Sequence, residues 1–79
     1  MTKRNAPIEG SILGNGAFVM MAKQADNKDW YIVAKWGKFT DPEYVTWLWT
    51  PWDGACHWGH YFKSAKSAIS DLIERTENI

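Results

Sequence analysis

The sequence predicts an α+β domain: a three- to four-stranded antiparallel β-meander followed by one C-terminal α-helix packed on one of its faces. Three observations carry that expectation. Between Phe18 and Tyr61, segments rich in aromatic and β-branched residues alternate with short polar or Pro/Gly-containing breaks, the pattern of successive strands. From Ala65 the period changes, with Ala65, Ala68, Ile69, Leu72 and Ile73 recurring at helical spacing on one stripe. The length, 79 residues, suits one domain and is too short for two.

Each element has its own signal. Residues 1–7 are polar and end in Pro7, which reads as a mobile tail; residues 8–79 form the domain. Ile8, Ile12 and Leu13 precede Gly14-Asn15-Gly16, a strong turn signal. Phe18 to Lys23 reads as the first strand, and Gln24 to Lys28 as a hairpin loop. Trp30 to Trp36 is the second strand, Gly37 to Pro42 a loop, and Tyr44 to Thr50 the third strand. Pro51-Trp52-Asp53-Gly54 has turn chemistry. Cys56 to Tyr61 is a shorter fourth strand, weakened by Gly59. Ser64 can cap the helix by accepting a bond from a free backbone N–H. Lys66, Ser70, Asp71 and Glu74 fall away from its apolar stripe.

Successive strand residues point to opposite faces. Regular alternation collects Phe18, Met20, Ala22, Trp30, Ile32, Ala34, Trp36, Val45, Trp47, Trp49, Trp58 and Phe62 on one face. The other receives Val19, Met21, Lys23, Tyr31, Val33, Lys35, Tyr44, Thr46, Leu48, His57 and Tyr61. The tryptophan-rich face is the expected core, with the helix lying across it and Ala65 and Ala68 settling between indoles. A helix of about twelve residues is only ~18 Å long and ~10 Å wide. It cannot shield a whole four-stranded face, so a second copy is a reasonable lid and a homodimer is expected.

Composition narrows the function classes. Six tryptophans, three tyrosines and three phenylalanines supply bulk to a thin core. Cys56 is the only cysteine, so no internal disulfide can form, and a reducing, cytoplasmic setting is the expectation. The N-terminal sequence has no apolar stretch behind Lys3 and Arg4, so no secretory signal is expected. No apolar run approaches a membrane span. Formal net charge is zero, with the basic excess before residue 40 and the acidic excess after it. That balance fits neither a duplex-binding protein nor a strongly acidic mimic.

Cys56-His57-x-x-His60 is the one cluster with metal-ligand or nucleophile chemistry. A structural zinc site takes four ligands, there is no second cysteine, and regular alternation sends His57 and His60 to opposite faces. Neither a metal nor another cofactor is expected. A Cys–His dyad lacks a third orienting group, so the protein is not expected to be an enzyme. Gly14-Asn15-Gly16 lacks the lysine and the strand-to-helix context of a phosphate loop. Asp41 and Glu43 around Pro42 read as a solvated loop.

The aromatic residues suggest binding. Trp52 sits at a turn, and Tyr31, Tyr44, Lys35 and Tyr61 lie on or beside the second face; together they are the expected partner-binding residues. A protein partner is favoured. Single-stranded nucleic acid is the alternative, its bases stacking on the sheet while lysines track the backbone; zero net charge weighs against it.

The last third, Trp58-Gly59-His60-Tyr61-Phe62 running into Ser64, Ala68-Ile69, Leu72-Ile73 and Arg75, resembles the strand-into-helix endings of small bacteriophage and prophage accessory proteins. The resemblance implies a small protein that acts in a host cytoplasm by binding a host or phage macromolecule. Anti-defence inhibitors, including anti-CRISPR proteins, are of that broad kind, with a host defence component as the partner. It covers about twenty residues and transfers no functional residue.

Overall fold

A computed structural model describes residues 7, 9–50 and 55–77. Its strands are β1 (Phe18–Gln24), β2 (Trp30–Lys38), β3 (Asp41–Trp49) and β4 (Cys56–Phe62), and its helix is α1 (Ala65–Glu77). The strands form one antiparallel sheet in the order β1-β2-β3-β4, so the expected meander and single helix are both present. Among the described residues no helix is long and apolar enough to cross a membrane. Trp52 and the rest of 51–54 lie outside the described residues, as do Ile8 and the expected tail except Pro7.

The β2–β3 hairpin is longer than its sequence suggests. Gly37 pairs with Pro42 and Lys38 with Asp41, which leaves only Phe39-Thr40 as the loop. Gly37 takes φ +97°, a backbone angle that costs glycine little and other residues more. Ladder pairing therefore continues through what read as a loop.

Regular alternation fails in both edge strands. In β1, Val19 pairs with Ala34 and Met21 with Val33, so Met20 is an extra residue. In β4, Thr46 pairs with His60 and Leu48 with His57, so Trp58 and Gly59 together oppose Trp47. Each bulge shifts its strand by one position, and a one-residue shift exchanges the faces. Val19 thus joins Ala22 on the tryptophan face. Tyr61, paired with Val45, joins it too, whereas Phe62, paired with Tyr44, passes to the other face. His57 and His60 end on the same face, contrary to the alternation argument.

The helix also packs on the face opposite to the one expected. Ala68 and Leu72 bury against Val33, with Met20, Met21, Tyr31, Tyr44 and Phe62 around them. The reason is polar. Thr46, fully buried in the middle of that face, donates to Asp71 Oδ2 at 2.5 Å, and Arg75 donates to the Thr46 carbonyl at 3.1 Å and to its hydroxyl at 3.0 Å. An unpartnered buried polar group costs about 1–3 kcal/mol, and Thr46 is partnered by the helix side chains. Asp71 and Arg75 therefore turn toward the sheet, and the buried stripe runs through Ala68, Leu72 and Thr76. Ser64 caps the start as expected, its Oγ accepting from Ser67 N at 3.1 Å.

The segment before β1 covers the tryptophan face. Leu13 and Ala17 pack on a core of Val19, Ile32, Ala34, Val45, Trp47 and Trp49, and Trp36 Nε1 donates to the Asn15 carbonyl at 3.2 Å. The same segment guards the edge of β1: Gly10 N donates to Val19 O at 2.7 Å, and Val19 N to Ser11 O at 2.9 Å. Ala22 N donates to the Glu9 carboxylate at 2.9 Å. Occupied edge groups offer no template for another strand.

The rotated stripe gives a direct test. Leu72 is fully buried, whereas Ile73 is 44% exposed. Leu72→Ala should cost about 2–4 kcal/mol and Ile73→Ala less than about 1 kcal/mol in urea unfolding. Equal losses would place the stripe where the sequence periodicity alone puts it.

Candidate functional site: the aromatic end of β4

β4 is an edge strand that carries two exposed aromatics. Trp58 is 74% exposed and Tyr61 52% exposed. Behind Tyr61 lies a packed aromatic group: the ring centroids of Trp36 and Trp47 are 6.0 Å apart at 68°, and those of Trp47 and Tyr61 are 6.4 Å apart at 86°. Such edge-to-face contacts suit the quadrupoles of the rings. Tyr61 is thus held from behind while half of it faces solvent.

Gly59 makes this packing possible. A Cβ on Gly59 would stand 2.6 Å from Trp47 Nε1 and 3.1 Å from Tyr61 Cε1, inside van der Waals contact. The Trp47 indole therefore rests on bare backbone. Next to it, Trp58 has φ +52°, a left-handed conformation that costs an L-residue roughly 1–2 kcal/mol. An aromatic is an unusual occupant of that region.

On the opposite face, His60 Nδ1 is 2.9 Å from Asp71 Oδ2, the oxygen that also accepts from Thr46. An ionised carboxylate only accepts, so in this contact His60 Nδ1 is the donor. Arg75 completes this group, its guanidinium lying 5.0 Å from the centre of the Tyr31 ring. Beside it, a shallow groove of about 480 Å³ is lined by Phe62, Lys66, Ser67, Ser70, Asp71 and Glu74. Among the described residues, no three His, Cys, Asp or Glu side chains converge in a way that could hold a metal ion. Cys56 packs against the tryptophan core, and burial pushes its thiol pKa up, which disfavours the nucleophilic thiolate.

The expected partner-binding residues do not form one surface. Tyr31 and Tyr44 are half-buried beneath α1. Lys35, paired with Tyr44, is on that same face, with its ammonium 5.9 Å from the Phe39 ring centre. Tyr61 lies on the opposite face with Trp36 and Trp47. Trp47 and Trp49 are covered within a single chain, at 6% and 7% exposure, and the exposed aromatics among the described residues are Trp58 and Tyr61 on β4, Phe39 in the β2–β3 loop and Phe18 at the start of β1. Regular alternation places Trp58 in the core, whereas it is exposed. The Trp58-Gly59 pair was the available signal, since a strand glycine marks a bulge or a close backbone approach.

Comparison with protein-family models, with curated proteins and with solved structures returns no match.

Filling the Gly59 seat tests the arrangement. Gly59→Ala should destabilise the fold by about 1–3 kcal/mol and raise the solvent accessibility of Trp47, read as a red shift in tryptophan emission. An unchanged melting temperature would mean that Trp47 does not lie on Gly59.

Proposed function

We propose that this protein is a non-catalytic protein-binding module whose contact surface is the aromatic end of β4, centred on Trp58 and Tyr61. One observation carries the reading. Trp58 combines high exposure with a left-handed backbone, so the fold bears a local cost to hold a large indole in water. Strain at an exposed side chain with little packing of its own is a mark of function, and tryptophan and tyrosine are the usual anchors of protein interfaces. Trp36 and Trp47 pack against Tyr61, which lowers the entropy lost when that ring is engaged.

The lysine positions favour protein over single-stranded nucleic acid. Lys23 and Lys35 pair with Tyr31 and Tyr44 and so belong to the helix face. Lys23 pairs with Glu77 at 3.6 Å and Lys63 with Asp41 at 3.4 Å. Glu43 stands opposite Trp36, where a carboxylate would repel a phosphate backbone. A small inhibitor or adaptor, of the kind implied by the phage-like ending, is the role that fits such a surface.

The test separates stability from binding. Trp58→Gly removes the indole and relaxes the left-handed residue, so its melting temperature should equal or exceed that of the parent. Partners are captured on immobilised protein from the native cell, with and without nuclease, and the affinity of the recovered protein partner is measured. Trp58→Gly should weaken that complex at least tenfold, the loss typical of an interface anchor. Full affinity in the variant contradicts the reading, and a complex dissolved by nuclease returns the argument to nucleic acid.

A further inference from the structure

We infer that His57 and His60 form a two-histidine site for a divalent transition-metal ion of the zinc class on the helix-side face of β4. The inference is independent of the aromatic surface and begins with the bulge. His57 and His60 are three residues apart in sequence, yet they pair with Leu48 and Thr46, which are two apart on a regular strand and share a face. Their Cα atoms are therefore about 7 Å apart, two strand steps, and both side chains are exposed. Two imidazoles on one face at that separation can reach a common ion at metal–nitrogen bonds of about 2.0–2.1 Å.

The support behind His60 is that of a metal ligand. A ligating histidine characteristically donates its second ring N–H to a carboxylate, which fixes the tautomer and raises the basicity of the free nitrogen. His60 Nδ1 is 2.9 Å from Asp71 Oδ2, Asp71 accepts from the buried Thr46 hydroxyl, and Arg75 donates to Thr46. This chain holds the His60 ring with Nε2 directed away from Asp71. His57, with no such tether among the described residues, is free to turn toward the ion. Imidazole pairs favour zinc, copper and nickel over magnesium or calcium. Because no third ligand converges among the described residues, water or a bound partner completes the coordination. The Arg75 guanidinium is engaged by Thr46 and the Tyr31 ring.

Zinc chloride titrated into the whole protein, followed by the ring nitrogens of both histidines in NMR, tests the site. One equivalent should shift Nε2 of His60 and one nitrogen of His57 together. His57→Ala, at an exposed position, and His60→Ala should each weaken zinc binding tenfold or more. Asp71→Asn should weaken it roughly 10- to 100-fold with both ligands still present; its melting curve shows whether the fold is intact. The proposal is overturned if His57→Ala binds zinc as the parent does, if only one imidazole responds, or if binding instead tracks Cys56 alkylation.

Discussion

The Trp47 indole lies where a side chain of β4 would otherwise stand, and most of the distinctive structure follows from making room for it. Only a residue without a Cβ can lie under the ring, and Gly59 is that residue. The strand accommodates the contact by placing two residues, Trp58 and Gly59, against one. The extra residue is held at positive φ, the geometry of a glycine-type bulge displaced onto a tryptophan. From that point β4 is shifted by one position, and this decides which side each following residue faces. Tyr61 reaches the indoles, Phe62 reaches the helix, and His60 reaches Asp71. Regular pairing would reverse all three.

The shifted His60 belongs to the second organising feature, the polar tie between helix and sheet. Thr46, Asp71 and Arg75, buried or half-buried, together with the exposed His60, connect β3, β4 and α1 through their side chains. Apolar burial under the helix is modest, centred on Ala68, Leu72 and Val33. Hydrophobic attraction is non-directional and would let a short helix slide. Hydrogen bonds to one threonine set its position, since a misplaced helix would strand buried donors and acceptors. The two faces thus divide the labour. Indoles packed on one another and on the N-terminal segment form one half of the core, and a thin apolar layer joined to a polar tie forms the other.

Much of the fold was legible in the sequence, because strand composition, turn residues and a change of period are local signals. The four strands, the helix and the Ser64 cap stand where those signals put them, apart from a shorter β2–β3 loop. The faces were less legible for a physical reason. Alternation assumes an unbroken ladder, and each edge strand carries an extra residue, Met20 in β1 and one of the Trp58-Gly59 pair in β4. The helix face was hidden because Asp71 and Arg75 resemble solvent-facing residues until Thr46 is seen beneath them, 25 and 29 positions away in the chain. Of the expected binding residues, Tyr61 lies at the aromatic end, Tyr31 and Tyr44 support the helix, and Trp52 falls outside the described residues. Trp58 was misplaced by the same alternation argument that separated His57 from His60.

Solution NMR of the β3–β4 ladder tests the central claim most directly. The account predicts cross-strand contacts from Trp47 to both Trp58 and Gly59, together with a strong intraresidue amide–Hα contact at Trp58 that reports its positive φ. It also predicts upfield-shifted Gly59 Hα protons beneath the indole. A one-to-one ladder through residues 56–62, with Trp58 in extended conformation and Gly59 unshifted, would contradict it. His57 and His60 would then lie on opposite faces.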